Sequence, residues 1–242
     1  MESREYDRLR EHEDRHWWYR SLHALALDRL GNAKRVLDVG CGTGGLLAKM
    51  EDRDAFGVDV SPEALAHVRD RGLRRVMRGD ACALPFASGR FDAVLALDLV
   101  YHRAVADDFA AVRECARVLR PGGILLLQAA AFPRLAGSHD RAVHGERRYT
   151  WGQVRSLVES AGLAVRELTY RNAAALPPAL LLRTILEKRF AGIRRGRSSD
   201  LSLRSAAINS MLTAIGRLEN ALLRSLALPA GLSVWCVARK PG

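Results

Sequence analysis

Gly40-Cys41-Gly42-Thr43-Gly44-Gly45, with Asp38 two residues before it, is the densest chemical signal in the chain. A glycine turn between a strand and a helix lets backbone approach a ligand closely and aims helix N–H groups at it. Gly40, Gly42 and Gly45 satisfy GxGxxG, and Asp59 follows at about the distance of the ribose-binding acid of a dinucleotide site. A NAD-binding oxidoreductase is therefore one reading. Asp38 favours another. A carboxylate there repels a pyrophosphate but suits a ligand carrying an ammonium group and a sulfonium centre.

The elements that must hold this turn follow from the apolar pattern. Residues 6–30 read as an N-terminal helix through Leu22, Leu25, Ala26 and Leu30, with a break near Trp17-Trp18. Residues 35–39 form a β-branched strand that enters the glycine turn, and residues 46–50 read as the helix leaving it. Strands follow at 55–60, 74–78, 91–97 and 124–130, with Ser61-Pro62 opening a helix and another helix at 105–119. Such alternation implies a parallel sheet covered on both faces. Thr150 caps a helix to about 161, and a sixth strand runs over 162–170. Two helical stretches, 177–190 and 202–226, intervene before a last strand at 232–239. The organisation expected is a core of residues 1–171 plus 231–242, with residues 172–230 a helical insertion forming a lid or substrate cap.

Five ordered segments carry a family resemblance. Val36-Leu37-Asp38-Val39-Gly40-Cys41-Gly42-Thr43-Gly44 resembles the first motif of class I S-adenosylmethionine-dependent methyltransferases, and Gly57-Val58-Asp59-Val60-Ser61 is similar to their second. Residues 79–86 (GDACALPF), 91–94 (FDAV) and 118–123 (VLRPGG) resemble the three that follow. The resemblance implies an α/β, Rossmann-like, doubly wound seven-stranded sheet, mostly parallel with an antiparallel last strand, and S-adenosylmethionine as cofactor. Its roles carry over by position. Gly40, Gly42 and Gly44 lie beneath the methionine part and Asp38 near its ammonium. Asp59 accepts both ribose hydroxyls, Val60 lies against adenine, and Asp80 with the Ala81 backbone reaches the adenine edge. Asp98 belongs to the same set. In the cluster His16-Trp17-Trp18-Tyr19-Arg20, Tyr19 and Arg20 are expected to reach the cofactor carboxylate from a helix that covers it.

Acceptor chemistry is expected beyond the fourth and fifth strands, because ligands of such sheets bind outside the carboxyl ends of the strands. Methyl transfer requires an aligned nucleophile and, where its pKa is high, a base. His139, then His102, then His144 are the candidate bases. Tyr101, Arg147, Arg148 and Tyr149 are the candidate substrate contacts. Residues 139–150 also resemble a subset of bacterial methyltransferases from glycosyltransferase and specialised-metabolite pathways, as do the inserted helices and residues 228–233. The formal charge is +11, and all of the excess falls after residue 130, where 18 Lys and Arg face 7 Asp and Glu. A small anionic acceptor is expected, with a lipid-linked sugar at a membrane surface or a non-catalytic cofactor-binding protein as alternatives. The later inserted helix sets Ile208, Met211, Leu212, Ile215, Leu222, Leu223 and Leu226 on one stripe, which favours a buried lid over a membrane contact. No appended recognition module and 6% aromatic residues argue against nucleic acid as substrate. The four cysteines lack CxxC spacing, so neither metal nor disulfide is expected. A charged N-terminus reads as cytoplasmic, in a monomer or homodimer.

Overall fold

The computed structural model describes residues 3–132, 145–181 and 205–242. Seven strands form one sheet: β1 (Arg35–Val39), β2 (Asp54–Asp59), β3 (Val76–Arg78), β4 (Phe91–Leu97), β5 (Leu119–Ala130), β6 (Ala164–Arg171) and β7 (Ser233–Arg239). Their order is β3-β2-β1-β4-β5-β7-β6. The first five are parallel, and β7 runs antiparallel between β5 and β6. This is the sheet that the resemblance implied.

The helices are α1 (Ser3–His12), α2 (Trp17–Leu30), α3 (Pro62–Asp70), α4 (Asp108–Val118), α5 (Trp151–Ser160), α6 (Leu176–Leu181) and α7 (Ala206–Leu222). Each start has its local cause. Ser61 accepts from Ala64 N–H ahead of Pro62, Asp107 accepts from Ala110 N–H, and Thr150 with Gln153 makes a reciprocal capping box. Two apolar clusters cover the faces of the sheet. Leu37, Val94, Leu125 and Cys236 belong to one; Val36, Leu95, Leu126 and Trp235 belong to the other. Neighbouring residues of a strand point to opposite faces, so both faces are buried.

The N-terminal helix breaks before Trp17, as the sequence reads, and His16 caps the second of the two helices by accepting Trp18 N–H. Several other elements differ from the sequence reading. No α-helix leaves the glycine turn: only one 3-10 turn, Leu47–Lys49, separates it from β2, because the chain returns at once to a neighbouring strand. β5 begins at Leu119, five residues earlier than read, because Leu119 already pairs with Phe91 across a bulge. The stripe expected on α7 is only partly buried: Ile208, Met211, Leu222 and Leu226 are exposed, Leu212 and Ile215 half-buried and Leu223 buried, while Thr213, Gly216 and Glu219 form the inward face of the helix. A small residue there lets α7 approach α2 closely: a Cβ on Gly216 would stand 2.7 Å from Ser21 Oγ. Most of the first inserted helix, read at 177–190, lies outside the described residues. Among them, no helix is long and apolar enough to cross a membrane.

Candidate functional site

The glycine turn follows directly from the end of β1. Gly40, Gly42 and Gly44 all take positive φ, the region open to glycine. Gly40 has a second reason: a Cβ there would stand 2.8 Å from Leu99 Cδ1. Gly40 and Cys41 donate to Val58 O at 2.7 and 3.1 Å, which seats the turn on β2. Above it lies a cavity of about 670 Å³ at the carboxyl ends of the strands, a size suited to a small ligand.

Asp38, Asp59, Val60, Asp80, Ala81 and Asp98 line this cavity, as do Gly40, Gly42, Tyr19, Tyr101, His102 and Arg148. Asp59 is braced from both sides, its Oδ2 accepting Gly42 N–H and its Oδ1 accepting Ser61 N–H, each at 2.9 Å. Carboxylate oxygens have further lone pairs for ligand hydroxyls. Val60 is 47% exposed although apolar, and so offers a flat contact instead of core packing. Asp80 Oδ1 accepts Cys82 N–H at 2.8 Å and holds the next turn in place. Gly44 sits behind the turn, against Val68 and Leu73.

The wall is acidic. Glu5, Glu13, Asp38, Asp59, Asp80 and Asp98 line it, against Arg148 as the guanidinium among the described residues. Burial, with Asp59 and Glu13 nearby, pushes Asp38 up to about 7. Burial also raises Asp98 to about 6, opposed by Gln128, Arg171 and Trp18. No basic side chain among the described residues offsets the shift of Asp38, and a cationic ligand would supply that countercharge.

α1 and α2 roof the cavity, with Tyr6, Glu13, His16, Trp17, Trp18, Tyr19 and His23 on its wall. Sequence reasoning missed Glu13, which bonds the Thr43 hydroxyl and the Arg71 guanidinium and packs against Gly45. It also missed His23, and it named His16 within the aromatic cluster without giving it a role; burial pushes His16 down to about 4 and His23 to about 3, so both rings are neutral. Nothing local marks Glu13 or His23; distant segments meet there. Burial raises the Tyr19 phenol. Arg20 is exposed on α2 and does not line the cavity.

The acceptor-side candidates divide. Arg148 lines the cavity and donates to Ala131 O at 2.7 Å. Arg147 does not line it: its guanidinium holds the loop after β4, donating to Val100, Val105 and Ala106 carbonyls at 3.3, 2.9 and 3.1 Å. Tyr149 is buried, its hydroxyl 2.6 Å from Asp108 Oδ2 and 3.2 Å from Val100 O. His102 Nδ1 accepts Ala104 N–H at 3.1 Å, so the neutral ring carries its proton on Nε2. His139 and His144 lie outside the described residues.

Fold and site together define an α/β protein with an acidic ligand cavity at the carboxyl ends of its strands. The strand order, with antiparallel β7, departs from the 3-2-1-4-5-6 order of dinucleotide folds, and the acid wall opposes a pyrophosphate. Comparison with known proteins agrees. Residues 37–127 match the family model described as a methyltransferase domain. A protein named "Probable S-adenosylmethionine-dependent methyltransferase" from Mycolicibacterium smegmatis is 27% identical over 220 residues, covering 80% of this chain and 84% of that one. A demethylmenaquinone methyltransferase from Thermus thermophilus is 40% identical over 120 residues, 46% of this chain; the match spans about half of that relative's length, 52%. The solved structure of an S-adenosylmethionine-dependent methyltransferase from Thermotoga maritima shares the fold, with TM-score 0.60, 18% identity and coverage of 98% and 95%. Residues 37–127 are thus similar to methyltransferase domains, and the relatives over most of the chain are named S-adenosylmethionine-dependent methyltransferases.

Proposed function

We propose that the protein transfers a methyl group to an oxygen, nitrogen or carbon nucleophile of a small acceptor whose anionic group is held by Arg148. The observation that carries this reading is the separation of charge along the carboxyl edge of the sheet. Asp38 lies near the end of β1, Asp59 ends β2, and Asp80 and Asp98 follow β3 and β4, whereas Arg148 is tied to Ala131 just after β5. S-adenosylmethionine, when bound, supplies an electrophilic methyl on a sulfonium centre. Asp59 then receives the ribose hydroxyls, Val60 supports the adenine face, and Asp80 with the Ala81 backbone meets its edge. Asp38 and Asp98 face the cationic methionine end, with Tyr19 above them.

Tyr101 and His102 stand on the acceptor side with Arg148. With its proton on Nε2, His102 donates a hydrogen bond to the acceptor and helps orient it. Proton removal falls to His139 or His144, or to His102 once Nδ1 releases Ala104. Residues 172–230 act as the cap, supported by Ala175 and Pro178 on the cavity wall.

A lipid-linked anionic acceptor is the second reading. It is favoured by the outer face of α7, where Ile208, Met211, Leu218 and Arg217 are exposed. One experiment tests both: incubation with methyl-labelled S-adenosylmethionine and extract separated into aqueous and organic phases. Label on an anionic product in the aqueous phase supports the first reading, and label on an anionic product in the organic phase supports the second. Arg148→Ala should raise the acceptor KM while leaving S-adenosylhomocysteine affinity in place. Label on neutral or cationic products, with KM indifferent to Arg148, would overturn the anionic acceptor.

A further inference from the structure

A line of buried polar side chains joins the inserted helix to the cavity wall. Arg171, at the end of β6, is fully buried and makes no ion pair among the described residues. One of its Nη atoms bonds Gln128 Oε1, the other lies 3.0 Å from Ser21 Oγ, and Nε has no partner. Gln128, also fully buried, passes the contact on: its Nε2 donates to Asp98 Oδ2 at 2.9 Å, and its carbonyl accepts Asp98 N–H at 3.0 Å. Behind Arg171, Glu219 of α7 accepts the N–H groups of Asn172 and Ala173 at 2.5 and 2.8 Å. Asn209, on the same helix, accepts Trp17 N–H and donates to Arg15 O, both at 2.8 Å, which fastens the aromatic roof.

A buried guanidinium without an ion pair is a poor stabiliser, and an apolar side chain of similar volume would serve packing better. Burial pushes Arg171 down to about 10, opposed by Glu219 and Asp98. Asp98 and Asn172 both hold left-handed backbone, φ 55° and 58°, a conformation that Asp and Asn tolerate better than other residues with a Cβ.

We propose that Arg171 is a positioning residue of the transfer site: through Gln128 it holds the Asp98 carboxylate, ionised, on the cavity wall, while Glu219 and Asn209 fasten that arrangement to the inserted helix. The inference rests on the reading that Asp98 meets the cationic end of the cofactor. Among the described residues, two charged or titratable groups face Asp98: Arg171 from β6 and Tyr19 from α2. Gln128 from β5 and Trp18 from α2 are its neutral donors. Removing the cation makes Asp98 easier to protonate, so the fall of cofactor affinity toward acid should begin at higher pH.

The test is calorimetric titration with S-adenosylhomocysteine from pH 5.5 to 8.5, with thermal midpoints in parallel, on wild type, Asp98→Asn, Arg171→Met and Gln128→Leu. Asp38 titrates in every variant, so differences among them read Asp98. Asp98→Asn should weaken binding at pH 8 by roughly tenfold or more. Arg171→Met should move the acid-side midpoint upward by about half a pH unit or more, and Gln128→Leu should move it in the same direction by less. Gln128→Leu keeps the buried charge and decides the matter if Arg171→Met does not fold. A wild-type midpoint in folded Arg171→Met or Gln128→Leu, with Asp98→Asn impaired, would overturn the positioning role. Unimpaired Asp98→Asn would instead overturn the assignment of Asp98 to the cofactor, and the proposal with it.

Discussion

Asp38→Asn isolates the charge that the cavity holds for its ligand. Burial and the Asp59 and Glu13 carboxylates bring Asp38 to about 7, and Asp98 stands near 6. At pH 6.5 the first is about three-quarters protonated and the second about one-quarter. A ligand whose ammonium needs both ionised therefore expels about one proton on binding at that pH and about a tenth of one at pH 8. Calorimetry in two buffers of different ionisation enthalpy measures that stoichiometry directly. In Asp38→Asn it should fall to about a quarter at pH 6.5. Affinity for S-adenosylhomocysteine should drop by about 2–5 kcal/mol, since one partner of a buried charge pair is lost. The ligand-free protein gives the complementary sign. A carboxyl raised in the folded state contributes stability below its unfolded pKa, which is lost as pH rises through about 7. The shift from 3.8 to about 7 places an upper bound of about 4 kcal/mol on that loss. Asp38→Asn should thus raise the thermal midpoint of ligand-free protein at pH 8 relative to wild type. Proton release of zero at pH 6.5, or release unchanged by the substitution, would refute the assignment of Asp38 to the cationic end.

If Asp59 holds the ribose as proposed, Asp59→Ala removes two charge-assisted bonds to it, each worth about 1.5–3 kcal/mol, so affinity for S-adenosylhomocysteine should fall about 10²- to 10⁴-fold with the far-ultraviolet dichroism retained. Unchanged affinity would put the ribose elsewhere. Gly40→Ala sets a Cβ 2.8 Å from Leu99 Cδ1 at φ 75°, and the left-handed conformation adds about 1–2 kcal/mol of its own. Both the thermal midpoint and cofactor affinity should decline, and wild-type values for both would show that the turn is not rigid.

The glycine turn and the acids beside it, which share the candidate cavity, were legible in the sequence because they are local. Asp38, the glycines and Asp59 lie within two strands and their turns, and strand, positive-φ turn and carboxylate are written as contiguous residue types. The alternation of apolar runs likewise determined the sheet and its layers, and the family resemblance supplied the antiparallel place of β7. Contacts between distant segments were decided only by tertiary structure. Arg147 and Arg148 look equivalent in sequence, but successive side chains of extended backbone point opposite ways, so one braces the loop after β4 and the other reaches the cavity. The apolar spacing of α7 specified an amphipathic helix without saying which face packs, and the inward face proved to be Thr213, Gly216 and Glu219. Glu13 against Thr43 and Arg71, and Arg171 against Gln128, join residues 30 to 58 positions apart. No local pattern encodes such pairs. They arise when the sheet brings strand ends together and the chain packs its polar groups into the remaining space, where burial sets both their partners and their charge.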